Sequence, residues 1–154
     1  MKKYRVNEIF YSIQGEGHNT GRAALFVRMS GCNLKCPFCD TDHHPSVDMT
    51  ANEICEEAVR QTGGTEGILV VLTGGEPTLQ VDEPLVEALH SAIPHCEIAI
   101  ETNGTHPVAK DIDWITLSPK NLFVSSADII LLKADELKVV FDGIHPIPSY
   151  DKID

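Results

Sequence analysis

Five continuous apolar runs recur along this chain: "ALFVRM" (24–29), "GILVVL" (67–72), "EIAIE" (97–101), "WITLS" (114–118) and "ELKVVF" (136–141). They lack the polar alternation of a half-solvated strand. Runs of this kind, rich in Val and Ile, fit parallel strands covered on both faces. Helical patterns lie between some of them. "TANEICEEAVRQTGG" opens with a Thr50-to-Glu53 capping box, sets Ile54, Ala58 and Val59 on one face, and stops at Gly63 and Gly64. "DEPLVEALHSAI" starts at an Asp82 cap, lines up Leu85, Leu89 and Ile93, and ends before Pro94. The gap from 101 to 114 has room for a short helix only. This alternation predicts right-handed βαβ units in an α/β fold. With 154 residues, 42% of them hydrophobic, residues 1–154 are expected to form one domain around one core.

In folds of this class, ligands gather at the carboxyl ends of the strands. "GCNLKCPFCDT" follows the first run, "TGGEP" the second, "ETNGT" closes the third and "SPK" the fourth. Unusual chemistry at successive strand ends predicts one shared site. Glycines directly after a strand, as in "TGGEP", let a ligand approach the backbone, whose carbonyls and N–H groups can hold an ammonium or a carboxylate.

Cys32, Cys36 and Cys39 form a C-x3-C-x2-C pattern in a loop with Gly31, Asn33 and Pro37. Disulfides pair cysteines in even numbers, and a closed zinc site takes four ligands. Three thiolates can bind an iron-sulfur cluster and leave one iron open to a second molecule. The same residues also admit a Cys3His zinc site completed by His43 or His44. Cys55 and Cys96 fall in a helix and near a strand, as small buried residues do. The odd, clustered set is unlike a secreted disulfide framework, and there is neither an apolar run of 18 residues nor a leader-like N-terminus, so the expectation is a soluble cytoplasmic protein without a membrane partner. Acidic residues number 23 against 12 basic, a net charge of −11. Such a surface repels phosphate backbones, which argues against nucleic acid and for a small-molecule ligand.

C-x3-C-x2-C after the first strand and GGEP after the second resemble the radical S-adenosylmethionine (SAM) superfamily. There, three cysteines hold a [4Fe-4S] cluster whose fourth iron is chelated by the amino and carboxylate groups of SAM. "NEIFYSIQGEG" (7–17), "FVRMSGCNLKCPFCDT" (26–41), "LTGGEPTL" (72–79), "ETNGT", "SPK" and "DELKVV" (135–140) narrow the match. Together they resemble the 7-carboxy-7-deazaguanine synthase family, which converts 6-carboxy-5,6,7,8-tetrahydropterin to 7-carboxy-7-deazaguanine with loss of ammonia, toward queuosine and related deazapurines.

That resemblance implies a partial, incomplete TIM-like barrel of mostly parallel strands. It implies that Cys32, Cys36 and Cys39 bind the cluster, and that Phe38, Cys39, Asp40, Gly75, Ser118, Pro119 and Lys120 line SAM. Ile13, Gln14, Gly15, Arg28 and Thr73 would touch the pterin, and Thr41 would ligate Mg2+. The local chemistry agrees: Arg28 suits a carboxylate, the Gln14 amide suits a pterin edge, and a hydroxyl oxygen is a hard ligand for Mg2+. Glu16 and Glu101, as loop carboxylates, read more simply as solvated. An electron donor such as flavodoxin or ferredoxin and a homodimer complete the implied partners.

Five strand candidates fall short of the six of the family's barrel, so an edge is expected to be open or covered by a partner subunit. The sequence after "ELKVV" is shorter than in the family, whose members continue with a further strand and helix. A glycyl-radical enzyme activase, of the kind serving anaerobic ribonucleotide reductase, shares the three-cysteine loop, but "SIQGEG" argues against it. A non-catalytic Cys3His zinc protein is the alternative of a different class.

Overall fold

The computed structural model describes residues 1–42 and 45–154. Among these, the strands are β1 (Tyr4–Ile13), β2 (Ala23–Met29), β3 (Val47–Met49), β4 (Leu69–Gly74), β5 (Glu97–Thr102), β6 (Trp114–Leu117) and β7 (Glu136–Leu137), and the helices are α1 (Ala51–Thr62) and α2 (Glu83–Ala92). They build one seven-stranded sheet in the order β3-β1-β2-β4-β5-β6-β7. From β2 to β7 the neighbours are parallel, while β1 runs antiparallel to β2 and β3. The sheet ends at β3 and β7 without closing, which is the incomplete, mostly parallel barrel expected.

All five apolar runs contain strands: the first begins at Ala23, the second is shifted to Leu69–Gly74 and the third reaches Thr102. The fourth stops at Leu117, and the fifth is ladder-bonded only at Glu136–Leu137. β1 and β3 went unanticipated. In "YRVNEIFYSI" the register shifts between Val6 and Glu8, which interrupts the alternation that marks a strand. Before the shift, Tyr4 and Val6 are buried; after it, Phe10 stacks on Phe26 with ring centroids 4.9 Å apart.

The helices start where their caps dictate. Thr50 Oγ1 accepts from the Glu53 N–H at 3.2 Å while the Glu53 carboxylate accepts from the Thr50 N–H at 2.7 Å, and Gly63 ends α1 in the left-handed region at φ 62°. α1 buries Ile54, Cys55, Ala58 and Thr62; Val59, expected on that face, is 38% exposed. Its packing stripe runs one residue to the other side. α2 buries Leu85 and Leu89, with Ile93 just past its end. No helix forms between β5 and β6: Gly104 (φ 77°) and Asp111 (φ 61°) are left-handed, and Pro107 between them has no N–H to give.

One face of the sheet, with Leu25, Val27, Val70, Leu72, Ile98 and Ile100, packs against both helices in the main core. Cys55 and Cys96 belong to that core, each 8% exposed, as expected of small buried residues. Among the described residues no helix is long and apolar enough to cross a membrane.

Asp82 joins the N-terminus to α2. Its carboxylate accepts from Lys2 Nζ and Tyr4 Oη at 2.7 Å each, and from the Leu85 N–H at 3.3 Å. Burial pushes this carboxyl up, but those donors outweigh burial and hold it below the usual aspartate value. Its stabilising contribution is therefore full above the ordinary pKa of about 3.9 and is lost as pH falls through the depressed folded value. Asp82→Ala is expected to cost about 1 kcal/mol at neutral pH in urea denaturation, and the gap from the unsubstituted chain should narrow below about pH 4.

Candidate active site

Side chains alternate across a sheet, so the register decides which residues share the face opposite the helices. Phe10, Phe26, Val71, Ala99 and Trp114 form one level of that face, an apolar floor. Two residues further along the parallel strands, and two back along antiparallel β1, the level is polar. Glu8 pairs with Arg28, Arg28 with Thr73, Glu101 with Thr116, and Thr116 with Glu136. These neighbours also bond: Arg28 Nε to Glu8 Oε1 at 2.9 Å, Thr73 Oγ1 donating to Glu101 Oε2 at 3.0 Å, and Thr116 Oγ1 donating to Glu136 Oε1 at 3.2 Å. Gln14, from the β1–β2 loop, donates to Glu101 Oε1 at 3.3 Å, and Lys138 lies 3.6 Å from the same oxygen and 2.6 Å from Glu16 Oε2. Burial alone would lower the Lys138 ammonium; the Glu101 and Glu16 carboxylates outweigh it and hold that group above the usual lysine value.

The strand ends converge above this row. Gly74 ends β4 and Gly75 follows it, where the chain leaving β2 crosses. A Cβ on Gly74 would overlap the Met29 backbone, and one on Gly75 would overlap the Gly31 carbonyl. The glycines expected to admit a ligand thus first admit the protein's own chain. The crossing is fastened by the Gly75 N–H to Met29 O at 3.2 Å and the Glu76 N–H to Gly31 O at 2.9 Å. Glu76 is 1% exposed, yet every donor it needs is at hand. Its Oε1 accepts from Thr78 Oγ1 (2.6 Å), Thr102 Oγ1 (2.7 Å) and the Thr78 N–H (3.1 Å), and its Oε2 from the Asn103 N–H (2.7 Å). Asn103 then donates to Asn33 Oδ1 at 3.2 Å, and Asn33 to Thr105 Oγ1 at 2.9 Å, bracing the cysteine loop against the end of β5.

These groups surround one cavity of about 560 Å3. It takes in every strand-end motif singled out above. Of the expected site residues, Gln14, Gly15, Arg28, Cys32, Cys36, Phe38, Cys39, Asp40, Thr41, Thr73, Gly75, Ser118 and Lys120 line it. Ile13 and Pro119 are not among its lining residues: Ile13 is 65% exposed at the end of β1, and Pro119 is buried in the turn between two lining residues. Glu101 is a strand residue bonded to Thr73 and Gln14, which corrects its reading as a solvated loop carboxylate. Glu16, 66% exposed at its side chain, is ion-paired to Lys138. Glu76, Asn103 and Lys138 are site residues that motif reading did not single out; the signal for Lys138 lay in its two-residue offset from Glu136, on the same face as the polar row.

None of the three loop cysteines is in a disulfide, and all three line this space. Burial pushes the Cys32 and Cys36 thiols up, and the Lys120 ammonium near Cys36 opposes the rise there. Lys120 donates to Ser118 O at 2.7 Å and Ser118 Oγ at 2.6 Å, and burial lowers its ammonium below the usual lysine value. Phe38 packs edge-on against Phe123 at 4.8 Å, joining the cysteine loop to the turn after "SPK". Among the described residues no group of three or more His, Cys, Asp or Glu side chains could hold a metal ion. His43 and His44, on which the zinc reading rests, lie outside the described residues.

Residues 26–123 match the family model described as the Radical SAM superfamily. A 7-carboxy-7-deazaguanine synthase of Bacteroides thetaiotaomicron is 48% identical over 139 residues, covering 90% of this chain and 71% of that protein. The one of Nitratidesulfovibrio vulgaris is 42% identical over 174 residues, covering 97% and 77%. A crystal structure of QueE from Escherichia coli superposes with a TM-score of 0.65 at 30% identity, covering 76% of this chain and 60% of that one.

Glu76 holds the ends of β4 and β5 together from a buried position. Glu76→Gln preserves its volume but points an N–H2 group at donors, so at least one buried group loses its partner. The expected cost is about 1–3 kcal/mol, read as a shift in the urea midpoint with an unchanged slope.

Proposed function

Because this chain belongs to the radical SAM superfamily and, within it, to the 7-carboxy-7-deazaguanine synthase family, we propose that it converts 6-carboxy-5,6,7,8-tetrahydropterin to 7-carboxy-7-deazaguanine with loss of ammonia. One observation carries the reading: the three cysteines of the loop and the polar row from Arg28 to Glu101 line the same cavity. The chain spans 60% of the Escherichia coli structure it resembles, and the activity of the whole relatives is assigned here as a proposal.

The donor set fits a [4Fe-4S] cluster with an open iron. A four-iron cluster is larger than a single ion, so its thiolates surround a volume instead of meeting at a point. Cys32, Cys36 and Cys39 line such a volume, and the two remaining cysteines are in the core. The chemistry that a bound cluster and SAM would supply is one-electron cleavage of the sulfonium and hydrogen abstraction from C6 of the pterin.

The chain's own residues supply position. Arg28 carries a fixed cation for the substrate carboxylate, and its partner Glu8 holds the guanidinium through Nε at 2.9 Å. Gln14, already bonded to Glu101, presents an amide to the pterin edge, with Thr73 beside it. The Gly75 backbone, Ser118 and Lys120 would line SAM, with Lys120 pinned by Ser118. Phe38 and Asp40 would flank it. Thr41, within 3.5 Å of Asp40 Oδ1, offers a hydroxyl to Mg2+ beside a carboxylate. The apolar floor of Phe26 and its neighbours keeps water from the reacting centre. The electron would come from a flavodoxin or ferredoxin in the cytoplasm, and a second copy of the chain would form the homodimer.

Anaerobic reconstitution with iron and sulfide, followed by SAM, dithionite and the tetrahydropterin, is expected to yield 5'-deoxyadenosine and 7-carboxy-7-deazaguanine by mass spectrometry. Cys36→Ala should abolish both and lower bound iron; a full iron complement in that variant would overturn the assignment. Arg28→Ala should raise KM for the pterin roughly 10–100-fold, the worth of a charge-assisted hydrogen bond.

A further inference from the structure

The loop between β1 and β2 passes over the polar row, and its grip comes from the far edge of the sheet. Glu136 Oε2 accepts from the His18 N–H at 2.5 Å. Directly beside it, Gly17 (φ 69°) lies so close that any Cβ there would overlap the Glu136 carboxylate. Two residues on, Lys138 Nζ reaches Glu16 Oε2 at 2.6 Å. The His18 ring lies flat on Trp114 of β6, with centroids 4.6 Å apart. Gln14 closes the loop's base through its own N–H to Arg22 O at 2.9 Å and its carbonyl from the Gly21 N–H at 2.7 Å.

β7 has only two ladder residues, too few for a strand to stabilise a sheet by pairing alone. Charged groups turned inward from a last strand cost desolvation unless they are paired. Apart from Thr116 and Glu101 on the sheet, the groups bonded to the Glu136 and Lys138 side chains lie on the loop from Glu16 to His18. Two charges at the end of an edge strand, each bonded both to the sheet and to one loop, are arranged to fix that loop.

We propose that Glu136 and Lys138 are positioning residues for the substrate: they clamp residues 16–18 to the sheet and so hold Gln14 and Gly15 in the cavity wall. This rests on the reading that Gln14 and Gly15 contact the pterin. The clamp also gives "GEG" in the sequence a physical reason. At Gly17, whose φ of 69° already favours glycine, a Cβ would push aside the Glu136 carboxylate that accepts from the neighbouring N–H, and Glu16 reaches the ammonium.

The test compares Glu136→Ala with Glu136→Gln, whose amide oxygen still accepts from the His18 N–H. Hydrogen-deuterium exchange read by mass spectrometry should show amides 15–18 exchanging at least tenfold faster in Glu136→Ala and close to the unsubstituted rate in Glu136→Gln. KM for 6-carboxytetrahydropterin should rise at least tenfold in Glu136→Ala, with product formed per SAM cleaved falling and bound iron unchanged. Should Glu136→Ala fail to fold, Gly17→Ala tests the same contact from the other side and should give the same pair of changes. Unchanged exchange, or faster exchange with KM unaltered, overturns the proposal. Failure of the unsubstituted chain to make 7-carboxy-7-deazaguanine would instead remove the substrate reading, and the exchange data alone would then decide the clamp.

Discussion

The site depends on a crossing of two backbones. The chain leaving β2 passes over the chain leaving β4 closely enough that neither Gly74 nor Gly75 could carry a side chain, and two backbone hydrogen bonds extend the β2–β4 ladder into the crossing. The cysteine loop therefore starts from a rigid point. Its first thiol, Cys32, comes one residue after the crossing, where sheet geometry fixes the chain direction. The buried Glu76 carboxylate continues the same construction sideways to β5, and the Asn103–Asn33 bond returns it to the loop. Were the crossing looser, the thiols and the polar row would keep their chemistry but lose their common origin.

That polar row follows from register more than from local sequence. Arg28, Thr73, Glu101 and Thr116 stand at equivalent heights on four adjacent parallel strands, above an apolar level containing Phe26, Val71, Ala99 and Trp114. Each strand contributes one polar residue near its carboxyl end and apolar residues below it. A sheet built this way is dry at the bottom and polar at the top, so a charged ligand has only one level at which it can be held.

The five parallel strands β2, β4, β5, β6 and β7, both helices and both N-caps were legible in the sequence because each is marked by a pattern local to a few residues. Cys32, Cys36 and Cys39 were legible for the same reason, as were the motifs at the strand ends. The illegible parts depend on distant partners. β1 was hidden by the shift between Val6 and Glu8, which makes sense only against β2. Val59 is helical and apolar, but whether it is buried depends on where α1 lies on the sheet. Glu76 reads as one residue of a turn until Thr102 and Asn103 are brought to it, and Lys138 as a strand residue until Glu16 arrives from the other end of the chain. The two glycines of "TGGEP" were legible as a place of close approach, but not which chain approaches.

The stack of His18 on Trp114 has an optical consequence. Trp114 is the one tryptophan of the chain, and its ring is covered by an imidazole from the loop that passes over the row. Its emission is consequently a single-site signal: any displacement of that imidazole changes the polarity and quenching felt by the indole. The protein carries its own fluorophore at the contact between loop and floor, free of background from other indoles, and the lifetime of that emission distinguishes a seated loop from a lifted one without a label.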